Sequence, residues 1–192
     1  MTHLIIGLGN PGEEYENTRH NIGRDVVLHF AKKNDFSDFS ENKKLKSLIS
    51  EGNLPAGRGK HKVVLMLPET FMNKSGDAAL LGASYFKAKP ENIFVVHDDI
   101  DIPFGTSKIC FNKGAGGHKG VENIIKKLKT KEFFRVRIGI NPTKKKKDAI
   151  EIVLKKFGKK DELELKKIKK KLNEALLCSV SESPDKAMQL CN

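Results

Sequence analysis

The stretch His3-Leu4-Ile5-Ile6-Gly7-Leu8-Gly9-Asn10-Pro11-Gly12 decides the fold. It opens as a short apolar run and closes on turn formers, so it reads as a buried strand ending in a tight turn. Farther along, residues 22–33 place Ile22, Val26, Val27 and Phe30 at helical spacing, which gives a helix one apolar face. Residues 46–51 and 62–67 read as two strands. Residues 52–59, with three glycines and a proline, read as their connection.

The alternation continues. Residues 75–87 form a helix with Ala78, Ala79, Gly82 and Phe86 on one side. Residues 93–96 are a β-branched and aromatic strand ending in His97-Asp98-Asp99, and residues 106–111 are another strand. Residues 117–129 are a helix opened by a glycine-rich turn. Residues 135–140 alternate charged and apolar side chains, as a half-buried strand does.

Beyond Asn141-Pro142 the style changes. Residues 148–157 carry Ile150, Val153, Leu154 and Phe157 at helical spacing, with Gly158 as a stop. Residues 161–179 are amphipathic through Leu165, Ile168, Leu172 and Leu176, with lysines opposite. No repeat and no long linker divides the chain. The expectation is one α/β domain across residues 1–192, with a twisted mixed, mostly parallel sheet flanked by helices. Residues 1–140 form its core and residues 141–192 a basic part that ends in an amphipathic helix.

The 192 residues suffice for one domain with a sizeable core. With 38% hydrophobic and 31% charged residues, the chain reads as soluble and globular. No apolar run approaches the ~18 residues that span a bilayer, and the first residues enter a strand pattern without a charged leader. A cytoplasmic protein is expected. Cys110, Cys178 and Cys191 are an odd number without a close pair, so reduced thiols are expected. His and Cys never meet at ligand spacing, and neither a metal nor another cofactor is expected.

The formal charge of +12 leaves two readings, solubility alone or binding to a polyanion such as RNA or DNA. The excess is uneven: residues 143–171 hold 13 Lys against 5 acidic residues, which concentrates cations on one part of the chain.

Ligands of open α/β sheets gather beyond the carboxyl ends of strands. Asn10, Asn73, Asp98 and Asn141 fall at or past such ends. Each alone is also an ordinary turn former. Of the six histidines, His29 reads as structural, and His3 and His61 as surface residues at strand starts. His20 lies in Thr18-Arg19-His20-Asn21-Ile22-Gly23, a polar stretch before the first helix. If a carboxylate held one ring nitrogen, the other would accept a proton from water, and Asp98 is the candidate carboxylate. A capping or packing role fits the position equally well. The loop Lys113-Gly114-Ala115-Gly116-Gly117-His118-Lys119-Gly120 lets backbone N–H groups approach an anion, or is only a flexible connection.

Taken together, the blocks resemble the bacterial peptidyl-tRNA hydrolase family over residues 4 to about 177. They are Ile6-Gly7-Leu8-Gly9-Asn10-Pro11-Gly12 with Tyr15, Thr18-Arg19-His20-Asn21-Ile22-Gly23, Pro68-Glu69-Thr70-Phe71-Met72-Asn73-Lys74-Ser75-Gly76, and His97-Asp98-Asp99-Ile100-Asp101. Gly116-Gly117-His118 and Arg135-Val136-Arg137-Ile138-Gly139-Ile140 complete the set. The resemblance implies hydrolysis of the ester between a peptide and the 3′-terminal ribose of tRNA, without an acyl-enzyme. It makes His20 the general base and Asp98 its orienting partner. Asn10 falls where N-blocked substrates are told from free aminoacyl-tRNA. Tyr15, Phe71 and Asn73 fall where the tRNA end or its peptide is contacted, Met72 on a pocket wall, and Gly116 in the substrate-binding loop. The implied partner is the acceptor end of peptidyl-tRNA, and residues 141–192 fall where the family has a basic lid and C-terminal helix. A monomer with no membrane attachment is expected.

Two positions depart from the family pattern. Lys119 stands where Asn is usual, and a charged Lys donates hydrogen bonds but cannot accept them. Arg137 matches an Arg that clamps the tRNA 5′ phosphate, yet its Lys partner aligns with Cys110. That leaves Lys108 and Lys113 as substitutes. Two other readings compete: a non-catalytic RNA-binding member of the same fold, and a nucleotide-dependent Rossmann enzyme. Pro11 interrupts the turn-to-helix entry that the latter needs, and no acidic residue ends a clear second strand.

Overall fold

The computed structural model describes residues 1–57, 59–142 and 149–192. Seven strands form a single sheet in the order β2-β3-β4-β1-β5-β7-β6. The strands are β1 (Thr2–Gly7), β2 (Ser40–Asn42), β3 (Ser47–Ala56), β4 (Gly59–Pro68), β5 (Ile93–Pro103), β6 (Ser107–Phe111) and β7 (Phe134–Asn141). Strands β4, β1, β5 and β7 run parallel at the centre. Both edges are antiparallel, β2 and β3 on one side and β6 on the other.

The helices are α1 (Ile22–Lys33), α2 (Ser75–Tyr85), α3 (Lys119–Leu128), α4 (Ala149–Val153), α5 (Glu162–Ser181) and α6 (Pro184–Cys191). One core layer joins α1, α5 and α6 to one face of the sheet through Phe30, Phe94, Ile168 and Leu172. The other joins α2 and α3 to the opposite face through Ile6, Ala78, Val95 and Ile124. Burying both faces explains why β1 reads as an unbroken apolar run.

Three expectations change. Residues 52–56 are strand, not connection: β3 pairs with β4 from Ser47↔Pro68 to Ala56↔Gly59. Since β2 pairs only with Ser47–Ile49, the rest of β3 is an edge strand, where a proline is tolerated. Strand β5 runs on through His97-Asp98-Asp99 to Pro103, so Asp98 lies inside a strand, paired with Ile138. Helix α4 stops at Val153. The chain then leaves to hydrogen-bond residues 17–19, through Arg19 N–H to Lys155 O (2.9 Å) and Phe157 N–H to Asn17 O (3.0 Å). The predicted helical Leu154 is consequently exposed. Strand β2 and helix α6 were not expected. The lysines at 144–147 lie outside the described residues.

Candidate active site

Strand β1 ends at Gly7, opposite Val96, while β5 continues. This overrun carries Asp98 past the end of its neighbour. The turn Arg19–Asn21 and the start of α1 fill the step. They come close because residue 23 is glycine: a β-carbon there would collide with the carbonyl oxygens of Val96 and Leu8. His20 is thereby set against Asp98.

His20 Nδ1 donates to Asp98 Oδ1 at 2.8 Å. The same oxygen accepts from His118 Nε2 at 2.9 Å. The tautomers follow from the partners. His118 caps α3, its Nδ1 accepting the Val121 N–H at 3.3 Å, so its proton sits on Nε2. An ionised Asp98 only accepts, so His20 carries its proton on Nδ1 and, when neutral, leaves Nε2 bare. The Asp98 side chain is 2% exposed and that of His20 15%, which isolates the carboxylate and leaves the imidazole within reach of water.

Burial pushes the Asp98 carboxyl up, but attraction to and hydrogen bonds from His118 and His20 outweigh it. They hold the group well below the usual carboxylate range. A third imidazole, His97, is fully buried, its Nδ1 donating to Asp98 O at 2.6 Å. Burial, reinforced by repulsion from His118, drives its pKa far down, so it stays neutral. Asp98 thus keeps its charge, ready to balance a proton arriving on His20.

His20, Asp98 and His118 also form the one group of three potential metal ligands among the described residues. Their ligand atoms are already joined by two hydrogen bonds, both of which a cation would have to displace.

The cavity beside the cluster, about 390 Å³, is lined by His20, Asp98, Asp99, Ile100, Gly116, Gly117, His118, Lys119 and Val153. Ile100 and Val153 supply its apolar surface. Gly116 (φ 60°) and Gly117 (φ 80°) hold the left-handed backbone that brings His118 back over Asp98.

Of the other predicted site residues, Gly116 and Lys119 line this cavity, and the rest lie outside its lining. Asn10 is buried and knits three segments together: its side-chain oxygen accepts Met72 N–H (2.8 Å), and its backbone exchanges two bonds of 2.9 Å with the Asn21 amide. Met72 is buried, while Asn73 is exposed beside it on a short 3-10 turn. Tyr15 and the exposed Phe71 meet edge to face, ring centroids 6.4 Å apart. Lys119 lies on the rim, 73% exposed and 3.2 Å from Glu122. Arg137 donates to Asp99 at 2.7 Å. Lys108 sits directly across from it on β6, while Cys110 faces Arg135. Lys113 is exposed beyond β6, away from the pocket lining.

Sequence reasoning missed His118, Asn21 and Asp99. Two signals were available for His118: it sits inside a motif block, and it occupies the position that caps a helix opened by glycines.

A model of a single family, described as Peptidyl-tRNA hydrolase, matches residues 4–192. The chain belongs to that family. The peptidyl-tRNA hydrolase of Aquifex aeolicus is 38% identical over 193 residues, covering 98% of this chain and 95% of the relative. That of Finegoldia magna is 41% identical, covering 99% and 97%. Among solved structures, the crystal structure of peptidyl-tRNA hydrolase from Acinetobacter baumannii superposes with a TM-score of 0.89 at 31% identity, covering 99% of this chain and 94% of that one. A complex of peptidyl-tRNA hydrolase with N-propanol gives 0.90 at 32%, with the same coverage. The mixed seven-stranded sheet is the fold of these structures. Among the described residues no helix is long and apolar enough to cross a membrane.

Proposed function

We propose that the protein hydrolyses peptidyl-tRNA in the cytoplasm, as a monomer and without a metal, with His20 as general base. The observation that carries this reading is the 2.8 Å bond from His20 Nδ1 to a buried Asp98, which leaves Nε2 bare. A water hydrogen-bonded to Nε2 gives up its proton as its oxygen attacks the ester carbonyl. Asp98 stabilises the imidazolium that results. The proton then passes to the 3′ ribose oxygen as the tetrahedral intermediate collapses, releasing the peptide acid and tRNA.

The remaining parts bind. Ile100 and Val153 accept apolar surface of the acyl group, Asn10 and Met72 shape the adjoining wall, and Tyr15, Phe71 and Asn73 meet the substrate's end. Lys119, a donor at the pocket rim, screens charge developing on the carbonyl oxygen. Arg137 and Lys108, neighbours across two strands, hold a terminal phosphate in place of the absent family lysine. Along α1 and α5, Lys33, Lys166, Lys169 and Lys170 line a cleft of about 640 Å³ that suits RNA backbone.

The test is release of N-acyl-amino acid from N-acyl-aminoacyl-tRNA by wild type and His20→Ala. The variant is expected to be slower by about 10²–10⁴-fold, roughly 3–5.5 kcal/mol of transition-state stabilisation. Equal rates would remove His20 from the chemistry. Binding without release by wild type would favour a non-catalytic role.

A further inference from the structure

Arg19 precedes the base in sequence, yet its side chain enters a different environment. It is only 7% exposed, and its guanidinium pairs with Asp161 at 3.1 Å, a carboxylate itself 10% exposed. It also donates to Ile140 O at 3.2 Å. Two aromatic rings enclose it, Phe157 at 4.6 Å and Phe104 at 5.4 Å. These contacts come from four separate places: the end of β7, the turn after β5, the segment after α4, and the residue before α5.

Stability alone is a weak reason to bury such a pair, since well-packed apolar residues often do as well or better. Its geometry has another consequence. Asp161 also accepts Gly158 N–H at 3.0 Å, and the backbone of Arg19 accepts no slack because its N–H is bound to Lys155 O. Thr18 bridges Lys156. Residues 155–158 are therefore fastened to residues 17–19, with His20 one residue away. At the other end of the same segment, α4 packs on β5 and on the Arg19–Asn21 turn, and its Val153 lines the same cavity as His20. To these backbone links the guanidinium adds a side-chain one, reaching from the residue before His20 to Phe157 and Asp161.

We propose that Arg19 is a positioning residue: it fixes the Val153 wall of the acyl pocket relative to the His20 ring. The inference rests on His20 being the base. It assigns Arg19 no contact with substrate. Its effect is on how the bound ester lies against Nε2, so it acts on turnover rather than on RNA binding, which depends on exposed cations elsewhere.

The test compares wild type, Arg19→Met, Arg19→Lys, Asp161→Asn and Val153→Ala with N-acetylphenylalanyl-tRNA, at a temperature where circular dichroism shows each variant folded. Arg19→Met is expected to lose about ten- to a hundredfold in kcat, the cost of an ångström-scale misplacement, with KM within twofold of wild type. Arg19→Lys keeps the charge without the planar fork and should recover part of the loss. Asp161→Asn, nearly isosteric, should reproduce the kcat defect and serves if Arg19→Met does not fold. Adding Val153→Ala to Arg19→Met should cost less than the two losses combined. Folded Arg19→Met and Asp161→Asn with wild-type kcat, or strict additivity with Val153→Ala, would overturn the proposal. His20→Ala run alongside separates the two ideas: full activity there defeats the base assignment, whereas an inactive His20→Ala beside a wild-type-like Arg19→Met defeats only the positioning role.

Discussion

Histidines gather at both ends of β1, and the two groups behave in opposite ways. Beyond its carboxyl end, His20 and His118 share the buried oxygen of Asp98. At its start, His3 stacks on His61 of β4, ring centroids 5.0 Å apart and Nε2 to Nδ1 3.0 Å. Among the described residues no carboxylate bonds to this second pair. Burial, with repulsion from His61, lowers the His3 pKa to about 4. The expectation that His3 lies on the surface is corrected, since it is 5% exposed. The lesson is that burial alone silences an imidazole. A position beside an ionised acid, with one ring nitrogen left toward a cavity, is what the proposed base His20 has and His3 lacks.

The sharpest way to break the contrast is to make the upper cluster resemble the lower one. Asp98→Asn removes the charge that balances imidazolium and allows the wrong tautomer of His20. It should reduce kcat by about 10²–10⁴-fold, measured by single-turnover hydrolysis. Next in size is His118→Asn, which can still cap Val121 but no longer donates to Asp98 Oδ1 from the same place. A loss of about ten- to a hundredfold in kcat is expected, with thermal stability little changed. A wild-type kcat would reduce His118 to a helix cap.

Effects on the cation proposed to hold phosphate should be smaller and of another kind. Arg137→Ala is expected to raise KM rather than lower kcat, and to reduce the slope of log(kcat/KM) against log[salt] by about one. An unchanged slope would take Arg137 off the phosphate. The smallest effect on turnover, none, belongs to His3→Gln. Its effect is on acid stability. The folded-state pKa of about 4 lies below the ordinary 6.5, so the unfolded chain binds the proton first and wild-type stability falls as pH drops from 6.5 toward 4. Denaturant titrations of His3→Gln should show a flatter decline in that window.

How far each region could be read from sequence follows the same physics. Helix α1 was read with its observed bounds, because a periodic apolar stripe has few alternatives. Strands β1, β4 and β5 were equally plain from their apolar runs. Strand β7, read as half-buried from its alternating arginines, is buried at Arg135 as well and only partly exposed at Arg137 and Asn141. The β3–β4 hairpin was not plain: Gly52 and Pro55 signal a loop locally, and only the tertiary structure shows why they suit a strand. Gly52 lies under the Phe36 ring, where a side chain would clash, and Pro55 is on an open edge. In the site, the pairing of residues 20 and 98 was anticipated. The role of His118 was hidden, because it depends on two left-handed glycines folding the loop back over a strand that outruns its neighbour. Arg19 was hidden too, since its partner lies 142 positions away.

If Asp98 works by holding His20, removing both should cost no more than removing His20. Single-turnover rates for His20→Ala, Asp98→Asn and the double variant decide this. The double variant is expected to match His20→Ala alone. A further multiplicative loss, or an Asp98→Asn protein as fast as wild type, would contradict it.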